Sequence, residues 1–197
     1  MQVGGNCSWI LDSSLTNMSE IVDEIVLVGG SVSDDSKKII ARCNKVVETN
    51  FYSANQSRIE WNDMNSLLRM AKNHDADWIL FMDADETFEP RFKATIHDHI
   101  NNPDAGMYKF RRYWLWNTAK QYRVDRPEKF SSLAYNSYLV RSTPALYFPN
   151  PAGTLWKRLI KHLQGKEKLR PYFGREPIAG IVGNTIESDI VLLHHAA

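Results

Sequence analysis

The sequence predicts an α/β protein built on a mostly parallel sheet flanked by helices, with a smaller mixed region after it, and three observations carry that expectation. Apolar runs of strand length alternate with amphipathic helix patterns through residues 1–90, and the connections between them are short. One of the runs, ADWILFMDADETFEP at residues 76–90, ends in a cluster of carboxylates. Alternating periodicities with short links mark βαβ units. Acids at the end of a buried strand sit where open α/β sheets bind ligands.

The elements follow in order. Trp9, Ile10, Leu11, Leu15 and Met18 recur at helical spacing, so a first helix begins close to Met1. DEIVLVGG (23–30) is a buried strand closed by a glycine turn, and SDDSKKIIARC (33–43) is a helix with Ser33 or Asp34 as its cap and acids in its first turn. Residues 45–49 suit a short strand, and about 56–73 a helix with Met64, Leu67, Leu68 and Ala71 on its apolar face. The run 77–82 is a strand with no polar face, as expected of one covered on both sides. Pro90 opens a helix to about Asn101, and the character changes at Pro103.

Beyond that point MYKFRRYWLW (107–116) reads as a strand with Lys109, Arg111 and Arg112 among aromatics. Twelve of the 22 aromatic residues fall between 108 and 156, which builds either a sugar-stacking cleft or a second aromatic core. LWKRLIKHLQGKEKLR (155–170) is a basic amphipathic helix that packs on the domain or lies on an acidic membrane surface. The strand IVLLHH (190–195) ends in two histidines.

A chain of 197 residues suits one domain spanning 1–197 and can bury a substantial core. No apolar stretch nears the roughly 20 residues that span a bilayer, and the N-terminus lacks the pattern of a signal peptide. The expectation is a cytoplasmic protein, with peripheral membrane contact through the basic helix as an addition. Cys7 and Cys43 lack metal-ligand spacing and read as structural thiols. The net charge of +1 hides an asymmetry: residues 1–90 hold 7 Lys/Arg against 15 Asp/Glu, and residues 91–197 hold 17 against 8. The acidic half suits a cation, the basic half an anionic partner, unless the two simply attract each other. No motif points to nucleic acid.

The chemistry centres on Asp83 and Asp85. Two residues apart on an extended backbone, they point to one side and can converge on a hard cation that also holds phosphate oxygens. The plainer alternative is a solvated turn from strand to helix, with Glu86 or Thr87 as the cap.

Taken together, DEIVLVGGSVSDDS (23–36), SRIEWNDMNSLLRMA (57–71) and ADWILFMDADE (76–86) make the chain resemble a glycosyltransferase of the GT-A fold, closest to the family 2 type. The match covers the first half of the chain. It implies a nucleotide-sugar-binding half at 1–104 and an acceptor-binding half at 105–197, with Mn2+ or Mg2+ bound to a nucleotide-diphosphate sugar. In that likeness Asp85 ligates the metal, Asp83 contacts the ribose and the metal shell, and His194, with His195 next in line, completes the site. Arg58 or Arg112 adds positive charge beside the diphosphate. The acceptor is a glycan, a lipid-linked group or a protein. Gly29 and Gly30 stand where the family carries two Asp that grip the nucleotide, and can offer only backbone to it. The family's first strand is cut short by Met1. For the catalytic base the candidate is Asp125, in YRVDRPEKF, with Glu128 close behind, though no motif marks either.

The resemblance implies transfer of a sugar from a nucleotide-diphosphate donor to an acceptor hydroxyl, as an inverting, metal-dependent reaction. Two alternatives stay open. One is a degenerate, non-catalytic domain of this fold that binds a glycan or partner. The other is a phosphatase of the haloacid-dehalogenase type with Asp83 as nucleophile, although two βα units precede that strand and no adjacent acids follow residue 90.

Overall fold

The computed structural model describes residues 1–4, 7–53, 60–116, 118–122, 137–149, 163 and 178–195. The elements run β1 (Gln2–Gly4), α1 (Ser8–Ser19), β2 (Ile25–Gly30), α2 (Asp34–Arg42), β3 (Val46–Tyr52), α3 (Glu60–Asn73), β4 (Trp78–Phe81), β5 (Glu86–Phe88) and α4 (Arg91–Ile100). They continue as β6 (Ala105–Trp116), β7 (Thr118–Tyr122), β8 (Ser137–Arg141) and β9 (Asn184–His194).

Two sheets meet at one residue. β1, β2 and β3 form a parallel sheet with β2 in the middle, and a mixed sheet runs β4-β8-β6-β9-β5, with β7 paired on β6. Gln2 is the register partner of Val28 on β2 and forms a parallel bridge with Asp83 just past β4. The strand order therefore runs β3-β2-β1-β4 and onward, and reverses between β1 and β4. That is the topological switch point at which open α/β sheets bind ligands.

Alternate residues of each strand face opposite ways, and both faces are covered. Leu27, Met82 and Leu139 enter one core with α1, α2 and α4, while Val28, Phe81 and Val140 enter another with α3. In the first, the rings of Phe88, Phe92 and Phe110 lie 4.5–5.0 Å apart at their centroids. Each such ring contributes about 1.5–3 kcal/mol through burial, before the tilted and edge-on ring contacts add to it. Helix ends follow local chemistry: the Ser33 hydroxyl accepts the Ser36 amide at 3.2 Å, and Asp34 and Asp35 occupy the positive first turn of α2.

Several expectations need correction. The N-terminal strand is short but present, because Gln2–Gly4 pairs with β2. Trp9 is 51% exposed and lies off the apolar face of α1. The acidic segment is neither extended nor a helix start: the Glu86 amide donates to the Asp83 carbonyl at 3.2 Å, and the chain then enters β5. Tyr108, Phe110, Tyr138 and Phe148 of the aromatic-rich region are core residues, whereas Tyr147 is exposed. The basic helix expected at 155–170 falls outside the described residues apart from Leu163. Both cysteines are free thiols.

Candidate metal and nucleotide site

Four strands deliver the site. β4 carries the chain to Asp83, the tight turn presents Asp85, and β5 runs antiparallel to β9 with Glu86 opposite His194. β6 lies on the other side of β9 and sets Trp114 opposite the same histidine. The end of β9 is fastened to the turn at two points. The His195 amide donates to the Asp85 carbonyl at 2.8 Å, and the His195 Nε2 and Thr87 Oγ1 are 2.9 Å apart.

This brings His194 Nδ1 to 3.6 Å from Asp85 Oδ1 and 4.0 Å from Glu86 Oε1. The nitrogen is buried and has no hydrogen-bond partner among the described residues. Burial first, and the Arg112 guanidinium second, push the His194 pKa down to about 4, against the opposing pull of Asp83. Burial lowers His195 as well. An imidazole kept neutral beside a carboxylate is in the protonation state a metal requires.

Glu86 anchors the arrangement from below. Its side chain is fully buried; Oε2 accepts the Asp83 amide at 2.9 Å, and Oε1 takes a hydrogen bond from Arg112 Nη1 at 3.2 Å. Arg112 shares strand parity with Tyr108 and Phe110, so it points inward and requires a countercharge. Its guanidinium carbon also stands 4.9 Å from the centre of the Trp114 ring. Arg112 is thus engaged within the protein rather than presented at a free surface.

The fit to a divalent cation rests on two donors. Ligand atoms about 2.1 Å from one ion and set at 90–110° lie roughly 3.0–3.5 Å apart, close to the observed Asp85–His194 separation. Among the described residues no group of three or more His, Cys, Asp or Glu side chains is arranged to hold a metal. Two donors would make only a partial shell, of the kind that water and substrate phosphate complete around a divalent cation.

Gly29 and Gly30 lie at the carboxyl end of β2, level with Val3 and Gly4 of β1. Neither position has room for a side chain. A Cβ on Gly29 would fall 1.7 Å from the Val3 carbonyl oxygen, and one on Gly30 would fall 2.3 Å from the Tyr52 ring. The Tyr52 hydroxyl donates to the buried Asp63 carboxylate at 2.8 Å. Ser31, next in the chain, holds a left-handed φ of 56°. Arg58, Asp125 and Glu128 lie outside the described residues. The sequence reading took Glu86 only as a helix cap and passed over Trp114, Tyr52 and Asp63, none of which carried a local signal.

Among solved structures, the chain is similar to S. aureus TarS 1-349, with a TM-score of 0.51 at 16% identity over 75% of this chain and 49% of that one. The fold is of the GT-A type. The chain is also similar to TarS 1-349 in complex with UDP-GlcNAc, with a TM-score of 0.46 at 15% identity over 60% of this chain and 35% of that one. It is similar as well to the mannosyltransferase PcManGT from Pyrobaculum calidifontis in complex with GDP-Man and Mn2+, with a TM-score of 0.49 at 13% identity over 98% of this chain and 55% of that one. The chain spans between a third and just over half the length of these structures. No family model matches it. No curated protein matches it. No helix among the described residues is long and apolar enough to cross a membrane.

Proposed function

We propose that this protein is a glycosyltransferase that moves a sugar from a nucleotide-diphosphate donor to an acceptor hydroxyl, with inversion at the anomeric carbon and with Mn2+ or Mg2+ bound at Asp85 and His194. The observation that carries this reading is the 3.6 Å approach of His194 Nδ1 to Asp85 Oδ1 at the point where the strand order reverses. A cation held there supplies a Lewis acid for the negative charge that gathers on the leaving diphosphate. Asp83 stands beside it for the ribose and the outer shell. Glu86 and Arg112 hold the turn that carries both aspartates.

In this reading residues 1–104 bind the donor and 105–197 the acceptor, whether glycan, lipid-linked group or protein. Arg58 would meet the diphosphate, and Asp125 would take the proton from the acceptor hydroxyl. Water has to be excluded from the closed site because hydrolysis competes with transfer.

A second reading, a GT-A domain that binds without catalysing, is favoured by one specific observation. The two positions that carry carboxylates in the resembling family are glycines, and their side-chain space is filled by the Val3 carbonyl and the Tyr52 ring. The phosphatase reading lacks support in the topology, since β1, β2 and β3 all precede β4.

Calorimetric titration of UDP and GDP, with and without Mn2+, into the wild type and Asp85→Asn separates the first two. Binding that requires Mn2+ and is lost in Asp85→Asn supports the transferase. Absence of binding under every condition leaves the non-catalytic domain.

A further inference from the structure

Tyr108, Phe110, Arg112 and Trp114 alternate along β6 and so share one face of the mixed sheet. Tyr108 and Phe110 end in the core, Arg112 is paired with the Glu86 carboxylate, and Trp114 comes last, half-buried. Register decides what it meets. β9 lies between β6 and β5, so one row across the three strands reads Trp114, His194, Glu86, and the row beneath it reads Arg112, Leu192, Phe88. Neighbouring strands stand about 4.8 Å apart, so the His194 ring has a same-face neighbour close on each flank.

The two flanks differ in kind. On the β5 side His194 Nδ1 is 3.6 Å from Asp85 Oδ1 and 4.0 Å from Glu86 Oε1. On the β6 side the centre of the Trp114 ring is 3.9 Å from the centre of the imidazole, with the two planes 59° apart. That is van der Waals contact, since carbon atoms find their optimum at about 3.5–4.0 Å. A histidine side chain chooses among staggered χ1 rotamers, and one that swung toward β6 would have to enter the indole. The indole is itself braced: the Arg112 guanidinium carbon lies 4.9 Å from its centre, and Arg112 is held by Glu86 at 3.2 Å. Glu86, Arg112, Trp114 and His194 thus close a circuit of contacts beside Asp85.

Electronic structure favours the same arrangement. A cation bound through Nδ1 draws electron density from the imidazole, and the π-system of an indole attracts a ring so polarised. We propose that Trp114 is a positioning residue for the metal site: it holds the His194 ring in the rotamer that aims Nδ1 at Asp85, and so sets the spacing of the two donors before a cation arrives. The inference rests on the reading of Asp85 and His194 as metal ligands and adds to it a residue that acts through His194. A ligand already in place need not be ordered on binding, which raises affinity.

The test follows Mn2+ binding by electron paramagnetic resonance, with UDP or GDP present, in the wild type, Trp114→Phe and Trp114→Leu, and repeats Trp114→Leu on a His194→Ala background. Phe keeps a flat ring against the imidazole, whereas Leu fills the space without one. Trp114→Leu should weaken Mn2+ binding about tenfold or more and Trp114→Phe about threefold or less. On the His194→Ala background Trp114→Leu should add nothing, because no imidazole remains to be positioned. In the metal-free protein the indole ring current should displace the His194 ring-proton resonances, and Trp114→Leu should abolish that displacement. Binding by Trp114→Leu as tight as the wild type's, an equal further loss on the His194→Ala background, or His194 resonances unmoved by Trp114→Leu would each overturn the positioning role and leave the metal site standing. A wild type that binds no Mn2+ would overturn the metal reading itself, and this inference with it.

Discussion

Glu86 and Arg112 meet at 3.2 Å with side chains 0% and 7% exposed, and the other oxygen of the same carboxylate accepts the Asp83 amide at 2.9 Å. One buried ion pair thereby fixes the turn that presents the candidate metal ligands. Removing a single partner leaves a charge in the interior. Arg112→Met should destabilise the fold by about 3–5 kcal/mol, and Glu86→Gln/Arg112→Met should recover most of that loss. Urea unfolding of the two variants checks this, and a double variant no more stable than the single one would refute it.

His194 titrates against its surroundings. Its folded pKa is about 4 against the ordinary 6.5, so between those values the unfolded chain binds the proton and the folded chain does not. Stability is therefore lost as pH falls through that window, by on the order of 2 kcal/mol after allowance for solvent around the ring. Thermal melts in EDTA from pH 7 to 4.5 should fall less steeply for His194→Asn than for the wild type. Parallel curves would show that the histidine carries no such cost.

A different substitution at the same residue tests the ligand set. His194→Ala should weaken Mn2+-dependent nucleotide-diphosphate binding by about tenfold or more while leaving metal-free binding unchanged. An unaltered Mn2+ dependence in calorimetry would remove His194 from the site.

Gly29 and Gly30 should differ in their tolerance. At Gly29 the obstacle is the Val3 backbone, so Gly29→Ala should cost about 3 kcal/mol or more by forcing β1 off β2. At Gly30 the obstacle is the Tyr52 ring, so Gly30→Ala should cost roughly 1–3 kcal/mol and be partly rescued by Tyr52→Ala. Chemical denaturation of the three variants decides it, and equal costs at the two glycines would contradict the geometry.

Ser31 holds a φ of 56°, a conformation that L side chains adopt at a penalty. Ser31→Gly should raise stability by roughly 0.5–1 kcal/mol, the relief of strain exceeding the added freedom of the unfolded chain. A lower melting temperature for the variant would show that the hydroxyl contributes more than the strain costs.

What the sequence by itself determined is the run of elements from α1 to β4, then α4, and the place of Asp83 and Asp85 just past β4. Periodicity and caps act within a few residues, so the apolar run 78–82, the Ser33 cap and the glycines after Val28 could be read locally. The approach of His194 to Asp85 was expected from resemblance to a known pattern, yet its distance belongs to the fold, because 109 residues of chain separate them and only the pairing of β5 with β9 brings them together. The conversion of the acidic segment into a turn was decided in the same way, by the buried Glu86 reaching back to the Asp83 amide. So was the inward aim of Arg112, whose place among alternating aromatics and cations left its direction open until β6 found its neighbours. The closed space over Gly29 and Gly30 is likewise a property of packing. Local sequence sets which backbone states are cheap. Which side chains share a site is set by strand order and register, and these are fixed only when the whole chain has buried its two cores.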